Sequence, residues 1–582
     1  MGYSKQFFTF MPTDVQDKNW FDLSHDNSGS CNMGPIYPVL CEPTLPGDYH
    51  SLEISYLLRM AQMVAPPMTR IGVHFFAFDV PNRILMNSRY WDKFLADIDG
   101  SKGYSLPTLS FTPIYEYLKT FVPNLFSFSD YDQTAALNLE TYLASLAPDF
   151  GDLSVSYEDN FFTISGLSLN DQAKNVELGK MVLDFLNQYP LKGSLLDYLG
   201  MPVSSPLFST SQFITVDNDF AGDQTIFTKV DLMTPQRSFQ VLPMLAYLYI
   251  WNEYFRQEFI QEEIPEQLLE DFNSWKDKLG SDISILWKLK RRDWEHDYFT
   301  SCLPSTQLGG ASAISIGEDG QFTIPELREA NVIQKIREKL FHGGTRIWEI
   351  LQNFFQSSVS DSRIQIPEFI KPLNGTGHSW LKISDIYQTA PGSSDALPTL
   401  DASANIAAPR GASVNTNNLG LRIKHKSKEH GYLMVLMNIQ PVPVYCQGIP
   451  RHFLQLDALD FGWPDYANIT EQPVYDYEVY ATAFNTKKGT SGDYPIFGYQ
   501  SQYSWYKFHN SELHGELRDD LDFFHFARIF DEQPNLNDKF LQCNPTDRPF
   551  PIQYEYDKLT YHLHFNYSVE RCLPYYGIPS LR

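Results

Sequence analysis

A strict alternation of apolar and polar residues near the C-terminal end constrains the fold of this chain more than any other feature. Leu559, Tyr561, Leu563, Phe565, Tyr567 and Val569 alternate with Thr560, His562, His564, Asn566, Ser568 and Glu570. A period of two places the apolar side chains on one face of a β-strand and the polar side chains on the other. The segment therefore predicts a sheet strand with one buried face.

Two further apolar runs predict strands that are distant from this one along the chain. The sequence RIGVHFFAFDV at 70–80 is stopped by Pro81, and the run 432–439 lies between Gly431 and Pro441. The run 432–439 is apolar at almost every position, which is typical of a strand covered on both faces. If strands so distant share a sheet, their pairing is non-local and the connections are long.

Helical patterns lie between these strands. The sequence TIPE at 323–326 predicts a helix start, and the glycine pair at 343–344 predicts its end. The apolar spacing within 347–355 is that of an amphipathic helix. We expect helices at 244–262, 324–341 and 346–356, and a further helix from Leu52 to Met63.

Long connections rich in turn-forming residues make up most of the remainder. Connections of such length in a compact protein are functional or mobile. The pattern is that of a sheet scaffold with elaborated loops, which usually serve contact between molecules. We expect a single domain over 1–582, with strands at about 36–80 and 430–570, insertions at about 100–235 and 236–425, and a flexible loop at 371–420.

The charge balance argues against one class of function. The 582 residues include 45 Lys+Arg and 70 Asp+Glu, which gives a formal net charge of −25. Phosphate binding needs clustered cations, so a chain this acidic is a poor stand-alone nucleic-acid binder. Local basic runs occur at Lys288, Lys290, Arg291 and Arg292, and at Arg422, Lys424, Lys426 and Lys428. A solvated loop with ion pairs explains either run; the alternative is contact with phosphates or with an acidic neighbouring surface.

Cysteine usage and hydropathy indicate the compartment. The six cysteines are scattered and form no CxxC pair, so we expect neither a disulfide framework nor a zinc site. No segment approaches the roughly 18 apolar residues that span a bilayer. We therefore expect a protein made in a reducing cytoplasm, without a membrane partner.

The usual catalytic motifs are missing from the sequence. The nearest approach to a nucleophile elbow, GHSWL at 377–381, lacks the final glycine. His562 and His564 would share one strand face, which suits metal ligation, but no third ligand is marked. Carboxylates suited to glycoside hydrolysis occur at Asp457, Asp460, Asp519, Asp520 and Asp522, as any acidic chain is expected to show. We expect no catalytic, metal or cofactor site.

Several passages occur in an order that carries more information than any one of them. They include HFFAFDVPNRIL at 74–85, RRDWEHDYFTSCLPSTQ at 291–307, SRIQIPEFI at 362–370 and LRDDLDFFHFARIF at 517–530. Together, from about residue 20 to 545, they resemble the major capsid proteins of the microviruses, small icosahedral single-stranded DNA bacteriophages, especially the gokushovirus-like branch. Each passage is short, but the ordered set is specific.

The resemblance implies a fold and a role. The family has an eight-stranded antiparallel jelly roll with large helical and loop insertions, and its copies pack into a T=1 shell around the genome. We therefore expect a mainly β capsid subunit of the virion that is not an enzyme and is assembled in the cytoplasm of a bacterial host. The implied partners are identical subunits, packaged single-stranded DNA, a small basic DNA-binding protein, a minor or pilot protein of the virion and a receptor on the host surface.

Other interpretations remain beside this one. The stretch of about 104–190 is longer than in the gokushoviruses and is interpreted as an insertion on the outer surface, and 371–420 diverges as well. Contact with DNA on the particle interior through Lys288, Lys290, Arg291 and Arg292 is a hypothesis motivated by local charge. The alternatives to a capsid subunit are a jelly-roll glycosidase using the carboxylates at 457–522, and a carbohydrate-binding or adhesin module that does not assemble.

Overall fold

The structure is a computed structural model in which two compact units can be described. Met1–Ile84, Tyr249–Ile264 and Lys290–Arg582 belong to the first unit, and Leu85–Leu248 and Pro265–Leu289 to the second. The described residues are 18–64, 67–86, 88–98, 101–110, 154–158, 161–165, 193–201, 216–217, 225–227, 238–265, 285–306, 323–358, 360–375, 377–381, 384–386, 410–415, 420–468, 471–482, 495–550 and 557–576.

Strands dominate the described residues. They are β1 (Asn19–Asp22), β2 (His25–Cys31), β3 (Ile36–Thr44), β4 (Tyr49–Gln62), β5 (Ile71–Pro81), β6 (Thr108–Ser110), β7 (Ser154–Glu158), β8 (Phe161–Ser165), β9 (Val216–Asp217), β10 (Thr225–Phe227), β11 (Ser238–Gln240), β12 (Glu368–Ile370), β13 (His378–Trp380), β14 (Ser384–Ile386), β15 (Arg410–Asn415), β16 (Leu421–Lys426), β17 (Gly431–Pro441), β18 (Val444–Tyr445), β19 (Glu471–Tyr475), β20 (Ile496–Ser501), β21 (Ser511–Glu512) and β22 (Leu559–Arg571).

Helices lie between the strands along the chain. The α-helices are α1 (Asn82–Leu85), α2 (Ser88–Leu95), α3 (Leu195–Tyr198), α4 (Leu242–Ile250), α5 (Ile324–Gly343), α6 (Ile347–Phe355), α7 (Asp361–Ile364), α8 (Asp476–Val479) and α9 (Asp538–Leu541). A π-helical turn covers Trp251–Phe255, and 3₁₀ turns cover Arg451–Leu454, Ala458–Asp460, Tyr466–Asn468, Ser504–Tyr506, Gly515–Arg518 and Asp522–Phe524.

Two antiparallel sheets form the core of the first unit. The larger has seven strands in the order β1-β22-β4-β15-β14, with β16 also on β4 and β2 also on β22. The smaller has five strands in the order β12-β5-β17-β3, with β13 also on β5. Strand β17 pairs with β5 from Gly431↔Pro81 to Pro441↔Ile71, so segments distant in sequence share a sheet and their pairing is non-local.

The two sheets lie face to face. The ring centroids of Tyr56 on β4 and Phe75 on β5 are 5.5 Å apart. His425 on β16 lies with its Nε2 2.7 Å from Oδ2 of Asp79 on β5. The buried side chains of both sheets therefore share one interior, as in other two-layered β proteins.

The three strands predicted from apolar pattern are confirmed. Along β22 the buried and exposed residues alternate, and every residue of β17 is buried. Strand β5 is buried at all positions except Phe76, which is half-buried. The β-rich, antiparallel character expected of the fold is thus present, although neither large sheet closes into a barrel within the described part of the chain.

The helix predicted at 52–63 is wrong, because this segment is the middle of strand β4. Leu52, Ile54, Tyr56, Leu58 and Met60 are buried, and the residues between them are half-buried or exposed. That period of two is the signature of a strand with one buried face. Pairing with β22 over Leu559↔Met60 to Glu570↔Tyr49 outweighs the good helix propensity of the segment.

The helix predicted at 244–262 is shorter than expected. Helix α4 begins at Leu242, and the π-helical turn ends at Phe255, after which Arg256 is extended. The N–H of Gln257 donates to the Gln261 side chain at 2.7 Å and holds a turn there instead. By contrast, α5 and α6 lie where capping and apolar spacing predicted helices.

The second unit is described only in part. Strands β7–β10 form a four-stranded sheet in the order β7-β8-β10-β9, and β11 pairs with β6. Most of the predicted insertions at 100–235 and 371–420 lies outside the described residues. No helix in the described ranges is long and apolar enough to cross a membrane. All six cysteines lie in described segments, and each is a free thiol.

Candidate subunit interface

One loop and the turn beside it, in the first unit, concentrate exposed apolar side chains. We call it the aromatic loop surface and define it as Phe453, Leu456, Leu459, Phe461, Trp463, Tyr506 and Phe508. Their exposed fractions run from 53% for Phe461 to 86% for Leu456. Contiguous exposed apolar surface of this kind marks an interaction site.

Polar contacts, and not apolar burial, hold this loop in shape. Oδ2 of Asp460 accepts hydrogen bonds from the backbone N–H groups of Leu456 and Asp457, both at 2.9 Å. Nε1 of Trp463 donates to the carbonyl oxygen of Ala458 at 2.8 Å, which leaves the indole ring outside. The loop is held by these hydrogen bonds while its apolar side chains are exposed.

The loop is joined to the neighbouring turn by tyrosines. The Tyr503 hydroxyl donates to the carbonyl oxygen of Leu459 at 2.7 Å, and Nε2 of Gln455 donates to the Tyr506 hydroxyl at 3.1 Å. The rings of Trp505 and Tyr506 stack with centroids 3.8 Å apart. These contacts make one continuous surface of the two segments.

A buried ion pair secures the start of the loop. Nη1 of Arg451 lies 2.6 Å from Oε1 of Glu478, and the Tyr298 hydroxyl donates to Oε2 of Glu478 at 3.1 Å. Burial raises the pKa of Glu478, and the Arg451 guanidinium opposes that rise. The loop is therefore attached to the core through α8, which carries Glu478.

Helices α5 and α6 present a second exposed apolar surface in the first unit. Helix α5 buries only Phe341, whose ring packs 4.5 Å from that of Phe259, and α6 buries none of its side chains. The exposed apolar residues of the pair are Ile324, Leu327, Val332, Ile333, Ile336, Ile347 and Phe355. An amphipathic helix normally buries its apolar stripe, but no described residue covers these exposed apolar side chains of the pair.

Arg346 lies between these two helices and fixes the segment through several polar contacts. Its Nη2 donates to the carbonyl oxygens of Asn252 at 2.8 Å and Arg256 at 3.2 Å. Its guanidinium lies 3.8 Å from Glu253 and 3.6 Å from Glu349. Burial raises the pKa of both carboxyl groups, and Arg346 counteracts it.

The cations predicted to contact DNA are placed differently from one another. Lys288 is exposed and belongs to the second unit, whereas Lys290 lies with Nζ 4.5 Å from the centroid of the Trp251 ring. Nη1 of Arg291 donates to the carbonyl oxygen of Cys543 at 3.0 Å. Burial lowers the pKa of Arg292, which donates to Oδ1 of Asn438 at 3.4 Å. Arg291 and Arg292 thus have structural partners.

The second basic run follows the outer face of β16 and the residues just after it. Arg422, Lys424 and Lys426 are exposed and alternate with buried or half-buried residues. Arg422 lies 3.6 Å from Glu53, and Lys428 lies 3.4 Å from Glu368. These contacts match the interpretation of a solvated face with ion pairs.

Two of the five carboxylates considered for glycoside hydrolysis have local roles. Asp460 is bound to backbone N–H groups of its own loop, as described above. Oδ2 of Asp522 accepts from Nη1 of Arg548 at 3.3 Å. His562 and His564, considered for metal ligation, bond instead to Ser28 and Asp26 of the neighbouring β2, at 2.6 Å each.

Sequence reasoning missed a cluster of three potential metal ligands. His74, Glu295 and His378 each offer a ligand atom, and the three atoms lie within 4.8 Å of one another. The residues are far apart in sequence, and only the pairing of β13 with β5 unites the two histidines. His378 and Ser379 belong to the passage compared above with a nucleophile elbow, but the Ser379 hydroxyl is hydrogen-bonded to Tyr56.

Comparisons with known proteins point to one family. A family model described as "Capsid protein (F protein)" matches residues 10–128, 198–321 and 318–581. "Capsid protein VP1" of Chlamydia phage 1 is 24% identical, over 99% of this chain and 98% of the relative. Proteins of the same name from Bdellovibrio phage phiMH2K and Spiroplasma virus 4 are 23% and 25% identical, over 99% and 96% of this chain and 98% and 94% of the relatives.

Proposed function

The chain belongs to the phage family of the capsid protein (F protein), and we propose that it is the repeating subunit of a T=1 icosahedral shell around a single-stranded DNA genome. The observation that carries the proposal is the aromatic loop surface, whose order does not depend on burying its own apolar side chains. Other copies of this chain are proposed to cover the aromatic loop surface, because a shell built from one type of subunit needs complementary patches on every copy. Interfaces of permanent assemblies are large and apolar, so an interface of this kind would bury the apolar side chains of the surface.

The proposed subunit has an eight-stranded jelly roll as its scaffold. The face-to-face packing of the seven-stranded and five-stranded sheets supports this, since a jelly roll is a double-sheet structure whose loops can lengthen freely. The remaining segments form the insertions that would contact neighbouring copies. A particle reconstruction at side-chain resolution tests the proposal; a sheet arrangement without a two-layered eight-stranded core would contradict it.

The role proposed is structural and not enzymatic. The family's role supports this, and so do the local contacts of Asp460 and Asp522, which are engaged within their own segments. The proposed partners in the virion are single-stranded DNA, a small basic DNA-binding protein and a minor or pilot protein, with a receptor on the bacterial surface outside. Assembly in the host cytoplasm completes the proposal. Steady turnover of a polysaccharide, abolished in Asp460→Asn, would contradict it.

Contact with packaged DNA is proposed for the basic run that begins at Lys288. Lys288 is exposed, whereas Arg291 and Arg292 donate to groups of the protein itself. Lys288→Glu should lower the DNA content of purified particles, and Lys424→Glu on the outer face of β16 serves as the control. Equal DNA content in Lys288→Glu and wild-type particles would contradict this contact.

Assembly is tested by removing the aromatic loop surface. We expect the double variant Leu456→Ser, Trp463→Ser to sediment as a folded subunit under conditions in which the wild type forms closed particles visible by electron microscopy. Met68→Ser is the control, because Met68 is 74% exposed but lies outside the surface. Particle formation by the double variant at the wild-type level would overturn this part of the proposal.

A further inference from the structure

We propose that His74, Glu295 and His378 form a binding site for a divalent transition-metal ion of the zinc class. The site lies in the first unit, apart from the aromatic loop surface and from the helix pair. It goes beyond the proposed shell-forming role and does not depend on it.

Strand pairing brings the two histidines together. His378 on β13 is the direct partner of His74 on β5 in the antiparallel register. Their rings stack with centroids 4.3 Å apart and an interplanar angle of 13°. Both imidazoles therefore project from the same side of the sheet, toward the same space.

Within the part of the chain that the structure describes, neither histidine uses its Nε2 atom. Nε2 of His74 and Nε2 of His378 are both buried and have no hydrogen-bond partner among the described residues. The closest carboxylate oxygen to Nε2 of His74, Oε1 of Glu295, lies at 3.7 Å, too far for a hydrogen bond. Buried polar atoms without partners are rare in folded proteins, and an absent ion is one of their recognised explanations.

A glycine keeps the space between these atoms open. A Cβ added at Gly72 would lie 2.9 Å from Nε2 of His74 and 2.9 Å from Nε2 of His378. The φ angle of Gly72 lies outside the left-handed region, so the backbone does not itself require glycine here. The missing side chain instead leaves room beside both Nε2 atoms.

The two imidazoles and the carboxylate suit a metal ion of intermediate hardness, such as zinc. Two imidazoles and one carboxylate are ligands of zinc and of other divalent first-row ions. Bonds of about 2.0–2.2 Å in tetrahedral geometry set ligand atoms roughly 3.3–3.6 Å apart. Nε2 of His74 and Oε1 of Glu295 are already 3.7 Å apart, and all three ligand atoms lie within 4.8 Å, so rotation of the side chains would complete the site. The Glu295 side chain is 34% exposed, which leaves a fourth position for water.

Nearby cationic side chains should weaken the binding of a positively charged metal ion. The positive charge of Arg292 acts on both His74 and His378, and that of Arg70 acts on His378. With a single carboxylate against them, the site should bind less tightly than a structural zinc site made of thiolates. Bound metal would nevertheless link β13 to β5 and stabilise the folded state by mass action.

The test is a metal titration of the purified full-length protein after dialysis against a chelator. We expect one Co²⁺ or Zn²⁺ per chain, with the visible absorption of four-coordinate cobalt and a rise in melting temperature on adding zinc. Glu295→Gln and His378→Ala should each lower the affinity at least tenfold and remove the rise in melting temperature. Gly72→Ala should do the same without removing any ligand.

His564→Ala is the matched control, because His564 is an exposed histidine beside Asp26. It should bind one ion with wild-type affinity. The proposal is overturned if the wild type binds no ion stoichiometrically, if His378→Ala and Glu295→Gln bind as the wild type does, or if binding is lost in His564→Ala instead. Circular dichroism of the metal-free variants checks their folding, and Glu295→Gln, the least disruptive change, decides the matter if His378→Ala does not fold.

Discussion

Arg451 and Glu478 form an ion pair 2.6 Å long whose carboxylate side is only 2% exposed. The pair connects the 3₁₀ turn at the start of the aromatic loop surface to helix α8. Removing one partner of such a pair leaves an uncompensated buried charge, which costs more than the pair itself contributes. The ion pair therefore attaches the start of the loop to the core.

Glu478→Ala should lower the free energy of unfolding by about 3–5 kcal/mol, because Arg451 and the Tyr298 hydroxyl both lose their buried partner. Urea titration followed by fluorescence measures the change. Glu512→Ala, at an exposed carboxylate, is the control and should change it by less than about 0.5 kcal/mol. A loss below about 1 kcal/mol in Glu478→Ala would show that the ion pair does not support the loop.

The strands could be predicted wherever burial imposed a regular pattern. Strand β22 alternates because only one face is buried, and β17 is apolar throughout because both faces are covered. Strand β4 alternates as well, but its outer face includes the half-buried Leu57 and the exposed Ala61, whose apolar side chains make the pattern resemble that of a helix. Its identity is settled by pairing with β22, a long-range contact that no local pattern contains.

The candidate sites could be predicted less well than the strands. An exposed Leu456 and a buried Leu52 look alike in a sequence, because exposure is decided by tertiary packing. The cluster of His74, Glu295 and His378 requires the register of β13 on β5, which local propensity does not determine. The resemblance to capsid proteins depended on the order of several short passages. Neither side-chain exposure nor strand register was needed to find it.

Packing between the two large sheets should be sensitive to Phe75. This side chain is 1% exposed and contacts Tyr56 of the opposite sheet. Phe75→Ala should cost about 3–5 kcal/mol of unfolding free energy, since it removes buried apolar surface and leaves a cavity. Phe355→Ala, at a residue 70% exposed, is the control in the same urea titration. Equal losses in the two variants would contradict face-to-face packing.

Substitutions at exposed apolar residues of α5 should reduce assembly without lowering the stability of the subunit. Leu327 and Ile336 are 46% and 43% exposed on α5, whereas Phe341 is 4% exposed and packs on Phe259. Leu327→Gln with Ile336→Gln should change the unfolding free energy by less than about 1 kcal/mol yet reduce the yield of particles in sedimentation. Phe341→Ala should instead cost about 3–5 kcal/mol. Full particle yield from the double variant would mean that this surface of α5 does not contact neighbouring subunits.

Acid should destabilise the first unit through His50. This imidazole is fully buried between the Tyr567 hydroxyl at 2.8 Å and the Ser427 hydroxyl at 3.1 Å, and burial lowers its pKa to about 4. Because the unfolded chain takes up this proton near pH 6.5 and the folded chain does not, stability is complete above pH 6.5 and falls as the pH drops toward 4.

The slope within that window is about 1.4 kcal/mol per pH unit for one such group. Between pH 6.5 and pH 5, His50→Gln should therefore lose about 2 kcal/mol less unfolding free energy than the wild type, because glutamine can bond to both hydroxyls without titrating. Urea titrations of both proteins at the two pH values give this difference directly, and His296→Gln, at an exposed imidazole, should behave as the wild type does. Equal pH dependence in His50→Gln and wild type would mean that another group, and not this buried imidazole, sets the acid sensitivity.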